Sequence, residues 1–154
     1  MGALARRISK ADGRRPLTIV VVLGGAYIFA ADLARCIRRK VQVEFVLIST
    51  YGNGTRPSAR VTMRLAPRAP LKGKDVLVVE DIVDTGRTAS GLLRLLARSR
   101  PRTLRLCSLL RKKARAEVAV KIDYLGFDVP DVFAVGYGLD FAGKFRNLRY
   151  VGCL

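Results

Sequence analysis

Short all-apolar runs alternate with amphipathic stretches along most of this chain. Leu17-Thr18-Ile19-Val20-Val21-Val22-Leu23 is β-branched and lacks polar alternation, as expected of a strand covered on both faces. Gly24-Gly25-Ala26 closes it, and a helix is expected over about Ile28 to Arg39, with Asp32 exposed and basic residues near its end. Val41 to Ser49 sets Val41, Val43, Phe45 and Leu47 against Gln42, Glu44, Val46 and Ile48, the period of a second strand. Arg60 to Leu65 alternates in turn, so the glycine-rich Ser49 to Thr55 reads as the tip of a hairpin and a flexible loop. After a linker, Pro67 to Lys74, the run Val76-Leu77-Val78-Val79 predicts another buried strand, ending in Glu80-Asp81. Gly91 to Arg98 gathers leucines on one helical face, with Arg94 and Arg98 on the other; Pro101 stops it, and Thr103 to Leu110 is again a strand. Such alternation predicts an α/β fold, a central, mostly parallel sheet flanked by helices through right-handed crossovers. One domain is expected over residues 1–154, with 1–15 a short, frayed, basic lead-in.

The chemistry converges on one strand end. Glu80 and Asp81 would reach the C-terminal rim of the sheet, where ligands of open α/β folds bind. Asp84-Thr85-Gly86 then turns the backbone, with Thr85, Thr88 and Ser90 at the start of a helix. Gly86 permits a close backbone approach, and the unpaired N–H groups of a helix start suit a phosphate. Carboxylates beside a phosphate cradle suit a sugar phosphate, whose hydroxyls they accept from or whose Mg²⁺ they help to hold.

Charge adds to this. There are 29 Lys+Arg against 12 Asp+Glu in 154 residues, a net charge of +17. Anionic partners are favoured, and the excess is larger than a small substrate demands, which leaves nucleic acid or an acidic protein surface as a second partner. With no histidine, Ser-His-Asp and Cys-His catalysis and His-ligated metals are excluded. Cys36, Cys107 and Cys153, widely spaced and odd in number, read as reduced, mostly buried thiols of a cytoplasmic protein. The apolar run Leu17 to Ala31 is too short to span a membrane and is broken by Gly24-Gly25.

Glu80-Asp81-Ile82-Val83-Asp84-Thr85-Gly86-Arg87-Thr88 resembles the phosphoribosyl pyrophosphate (PRPP) motif of the type I phosphoribosyltransferases. Tyr124 to Asp140 and Phe145-Arg146-Asn147-Leu148 are similar to segments of the hypoxanthine-guanine members, so the likeness runs from about Leu17 to Leu154. It implies a type I phosphoribosyltransferase fold with a small C-terminal hood and a flexible lid loop. It also implies purine salvage: the 5-phosphoribosyl group of PRPP passes to N9 of hypoxanthine or guanine, giving IMP or GMP and pyrophosphate.

The resemblance assigns roles. Asp84 would be the catalytic base. Glu80, Asp81, Thr85, Gly86, Arg87 and Thr88 would hold the ribose and its 5′-phosphate. Gly24, Gly25 and Arg146 would bind pyrophosphate; many relatives carry Lys or Arg where Gly24 stands. Lys112, within Arg111-Lys112-Lys113-Ala114-Arg115, would face the purine with Phe133, Ala134 and Asp140, and Thr50-Tyr51 would belong to the lid. Mg²⁺ is the implied cofactor, with Glu80, Asp81 and Asp140 as its carboxylates, and a homodimer or homotetramer the implied assembly. Relatives usually carry a longer segment before the first strand. The charge keeps an alternative of another class, a PRPP- or nucleotide-sensing regulator of the same fold that binds RNA.

Overall fold

The computed structural model describes residues 1–11, 15–51 and 60–154. Its strands are β1 (Leu17–Leu23), β2 (Val41–Tyr51), β3 (Arg60–Leu65), β4 (Asp75–Val83), β5 (Thr103–Arg111) and β6 (Tyr124–Asp128), followed by the short β7 (Ala134–Val135) and β8 (Gly152–Cys153). The helices are α1 (Gly2–Lys10), α2 (Tyr27–Cys36) and α3 (Arg87–Ala97), with a 3-10 turn at Lys113–Arg115. Six strands form one sheet in the order β3-β2-β1-β4-β5-β6. All of its pairings are parallel except β2 with β3, the expected hairpin. An antiparallel pair, β7 with β8, makes the small C-terminal hood.

The buried strands divide their side chains between two cores, which is why β1 and β4 carry no polar alternation. Ile19, Val21, Leu77 and Val79 face α1 and α2, where Phe29 and Leu33 are fully buried. Val20, Val22, Val76 and Val78 face α3, through Ala89, Leu92 and Leu96. On β2 the inward set is Glu44, Val46 and Ile48, whereas Val43, Phe45 and Leu47 stay 40–44 % exposed.

Four expectations are corrected. The amino terminus is a helix, with Leu4, Ala5 and Ile8 buried against α2 and β6. Its arginines point outward, and the Arg7 guanidinium lies 5.6 Å over the Tyr124 ring while donating to the Asp123 carbonyl. α2 stops at Cys36 because Ile37 turns extended and buries its side chain. Arg39 is then drawn inward to donate to the Arg15 and Ala11 carbonyls and to Asp75 at 3.2 Å, and Arg102 also pairs with that buried carboxylate. Asp32, expected to be exposed, is half-buried and accepts a 2.6 Å hydrogen bond from the Tyr137 hydroxyl. Of the cysteines, only Cys107 is buried, and burial pushes its thiol up to about 12; Cys36 and Cys153 are exposed.

Candidate active site

β4 delivers its polar end to the rim as a consequence of pleating. Glu80 is 4 % exposed and sits opposite Ser108 of β5. Asp81 points to the other face, toward Gly24-Gly25, and a Cβ on Gly25 would overlap its carboxylate. Burial, and after it the charge of Asp81, raises the Glu80 carboxyl from its ordinary 4.5 to about 8. Asp81 is also raised, by burial, with Asp140 adding; N–H groups of the Asp81–Ile82 backbone and the Arg146 charge oppose the shift.

The Glu80 shift carries a pH prediction. The folded chain keeps a proton on Glu80 that the unfolded chain has already released above about 4.5. Stability of the ligand-free protein should therefore fall as pH rises from 4.5 toward 8. Melting temperatures across that window should fall for the wild type and show a flatter slope for Glu80→Gln; equal slopes would remove Glu80 as the cause.

Beyond β4 the chain turns at Gly86, which has φ +81° and directly precedes α3. A Cβ here would overlap the Val118 carbonyl, since the 116–120 segment packs on the turn. Glu117 and Val118 both donate main-chain N–H bonds of 3.0 Å to the Thr85 carbonyl. Arg87 leans away onto Glu117 at 2.5 Å, so at Arg87 the turn presents its backbone more than its guanidinium. A cavity of about 170 Å³ is lined here by Glu80, Asp81, Asp84, Thr85, Gly86 and Thr88, with Val22 and Ile48 at its apolar side. Its lining of carboxylates, threonines and the start of α3 suits a phosphorylated sugar.

A second cavity, about 190 Å³, shares Asp81, Ile82 and Asp84 with the first and adds Lys112, Phe133, Ala134, Leu139 and Asp140. Asp84 and Phe133 thus face one cleft. The Phe133 ring is half-exposed and held edge-on by Phe141, centroids 5.2 Å apart at 83°. Lys112 is 7 % exposed, its backbone N–H bonded to Val83 and its Nζ 3.4 Å from Asp131 and 3.9 Å from Asp84. The 3-10 turn after β5 adds Arg115, whose Nε lies 2.7 Å from Asp84 Oδ1. That contact is an ion pair without hydrogen-bond alignment, so Oδ1 stays buried with no donor aimed at it. Arg115 was hidden in the basic cluster; the signal was its spacing of three from Lys112, one 3-10 turn.

Gly24 and Gly25 meet the hood. A Cβ on Gly138, at φ +103°, would overlap the Gly25 carbonyl. Arg146 donates to the Gly138 carbonyl at 2.6 Å, pairs with Asp140 at 2.7 Å, and stretches its guanidinium 3.8 Å from where a Gly24 Cβ would stand. The Arg146 guanidinium thus stands beside Gly24 at the cleft. Tyr137, also unsuspected from sequence, ties the hood to α2 through Asp32.

Two expectations fare differently. Among the described residues no three carboxylates converge as a metal cage, and Asp140 is engaged by Arg146 and by the Gly143 N–H at 2.8 Å. Thr50 and Tyr51 end β2, but their side chains and the 52–59 tip lie outside the described residues. A larger cavity of about 390 Å³ beside α3, bordered by Leu93, Arg94, Lys121 and Asp123, takes Ser90 alone of the residues expected at the helix start and none of the carboxylates at the end of β4.

Known proteins resemble this chain in sequence and fold. Residues 1–142 match the family described as a phosphoribosyl transferase domain. A Mycobacterium avium protein named hypoxanthine-guanine phosphoribosyltransferase is 45 % identical over 148 residues, covering 96 % of this chain and 73 % of its own. The chain belongs to the hypoxanthine-guanine phosphoribosyltransferase family. The hypoxanthine phosphoribosyltransferase of Escherichia coli K12 is 38 % identical over 97 % of this chain and 85 % of its own. A crystal structure of the Bacillus anthracis hypoxanthine-guanine phosphoribosyltransferase superposes with a TM-score of 0.95 at 37 % identity, covering 99 % of this chain and 90 % of that one. These similarities favour the transferase over the RNA-binding regulator. As a family member, the chain is a phosphoribosyltransferase of purine salvage. No described helix is long and apolar enough to cross a membrane.

Proposed function

We propose that this chain joins the 5-phosphoribosyl group of PRPP to N9 of hypoxanthine or guanine, breaking the C1–pyrophosphate bond and releasing pyrophosphate. The observation that carries this reading is the cleft that Asp84, Lys112 and Phe133 share, continuous through Asp81 and Ile82 with the Thr85–Thr88 turn. A base and a sugar phosphate bound in these two adjoining spaces would meet beside Asp84, and holding both in line removes much of the entropic barrier.

The turn from Thr85 to Thr88 binds the 5′-phosphate through N–H groups and hydroxyls. Glu80 and Asp81 accept from the ribose hydroxyls. Asp84 accepts the purine N7 proton as the N9–C1 bond forms; it lines the base cleft with Lys112 and Phe133. Gly24, Gly25 and Arg146 hold the pyrophosphate, with Arg146 beside Gly24 neutralising charge as it leaves. Phe133 covers the purine face, the Ala134 backbone reads its edge, and the Thr50-Tyr51 lid excludes water.

Mg²⁺ fits as a substrate-borne ion. The carboxylates of Glu80, Asp81 and Asp140 would hold it together with substrate oxygens. When bound, it screens the diphosphate charge. The exposed stripe of Val43, Phe45 and Leu47, continued by Leu65 on the paired strand β3, supports assembly as a homodimer or homotetramer.

Incubation with hypoxanthine, PRPP and Mg²⁺, followed chromatographically, should yield IMP and pyrophosphate; adenine should give no AMP. No IMP under conditions where a known transferase turns over would overturn the reading. Lys112 sets the choice of base, because its ammonium donates to a 6-oxo group and meets adenine's 6-amino group donor to donor. Lys112→Gln should lower kcat/KM for hypoxanthine by about 10–100-fold, the worth of one charge-assisted hydrogen bond, and narrow the preference over adenine. An unchanged ratio would exclude Lys112 from base recognition.

A further inference from the structure

The active site uses few of the 29 basic residues, and seven others stand at the opposite end of the sheet. Parallel pairing makes this a matter of register. Leu17 lies opposite Val41 and Asp75, and Asp75 opposite Thr103, so β2, β1, β4 and β5 begin side by side. The residues just ahead of these starts are Lys40, Arg15 with Pro16, Lys74 and Arg102. Main-chain bonds lock the row: Leu17 N–H donates to the Lys40 carbonyl at 2.8 Å, and Arg102 N–H to the Lys74 carbonyl at 2.8 Å. With neighbouring strands about 4.8 Å apart, the row is about 14 Å long.

A second tier stands beside it. Lys72 leads into β4, and α3, running back against the strands, leaves Arg98 and Arg100 at the same end, where the Arg100 carbonyl accepts from Gly73 N–H at 3.0 Å. Arg15, Lys40, Lys72, Arg98, Arg100 and Arg102 are all exposed. Among the described residues the only carboxylate on this rim is Asp75, which is buried beneath Arg39 and Arg102. No large exposed apolar side chain occurs within 15–16, 38–40, 72–74 or 98–102.

We infer that this rim is a docking face for the phosphate backbone of a double-helical nucleic acid, separate from the transferase cleft and independent of its chemistry. A linear array of cations meets a line of phosphates and releases their counterions. The missing apolar and aromatic side chains disfavour the other anionic surfaces: protein interfaces want an apolar centre, membrane surfaces an insertable apolar face, and single strands a stacking ring. Binding through phosphates alone carries no base sequence.

The test is fluorescence anisotropy of labelled RNA and DNA duplexes of one sequence, titrated with the whole protein, together with pelleting on anionic phosphatidylserine vesicles. Both duplexes should bind, and with about four phosphates engaged the affinity should fall on the order of a hundred-fold between about 50 and 200 mM salt. Lys40→Glu, Lys72→Glu and Arg98→Glu together should weaken binding at least about ten-fold and reduce the salt slope by about 3, with the transferase rate unchanged. The charge-matched Lys113→Glu, Lys144→Glu and Arg149→Glu, at the cleft end, should bind far better than the rim variant. No duplex binding at low salt, salt-independent binding, equal loss in both variants, or vesicle binding in place of duplex binding would each overturn the inference. The wild-type salt slope stands as a test even if the rim variant does not fold.

Discussion

Asp84→Asn should lower kcat for IMP formation by about 10²–10⁴-fold, the usual worth of a positioned general base, while KM for PRPP changes little. Asparagine keeps the shape and one acceptor but cannot hold the N7 proton. Asp84 binds no part of PRPP in this scheme; Glu80, Asp81 and the Thr85–Thr88 turn do. The split between kcat and KM is therefore the informative readout. Steady-state kinetics with each substrate saturating in turn would show it. An unchanged kcat would remove Asp84 from the role of base, and an equal loss in PRPP affinity would make it a sugar ligand.

Gly138→Ala should cost about 3 kcal/mol, roughly 6–12 °C in melting temperature for a chain of this size, and should abolish most activity. Two effects add. The φ of +103° is one that side chains rarely adopt, and the new Cβ would press into the Gly25 carbonyl. Yielding means moving the hood off the Gly24-Gly25 loop, which breaks the Arg146 bond to the Gly138 carbonyl and the alignment of Arg146 with Asp140. Calorimetry with an activity assay on the same sample checks both. Wild-type melting and rate together would show that the hood does not brace that loop.

The elements that chemistry depends on were legible because they obey local rules. The apolar runs of β1 and β4 follow from burial on both faces, and the Gly86 turn from the backbone freedom it needs. Partners distant in sequence were not legible. Leu4, Ala5 and Ile8 make too short a stripe among arginines and small residues to announce a helix, whose burial comes from α2 and β6. Arg39 reads as a solvated helix end until Asp75 draws it inward across 36 residues. The exposed face of β2 has the same alternation as its buried face, so periodicity could not tell them apart. Within the site the adjacent acidic pair stood out by itself and Lys112 only through the family resemblance, whereas Arg115 depends on the 3-10 turn after β5, and Tyr137 and the approach of Arg146 to Gly24 depend on how the hood folds back.

A crystal structure of this chain with IMP bound tests the account at its centre. The phosphate should lie on the N–H groups of the Thr85–Thr88 turn, the hypoxanthine ring against Phe133 with its 6-oxo oxygen in reach of Lys112 Nζ, and N7 facing Asp84. A nucleotide bound elsewhere, or one whose base leaves Phe133 and Lys112 untouched, would contradict it.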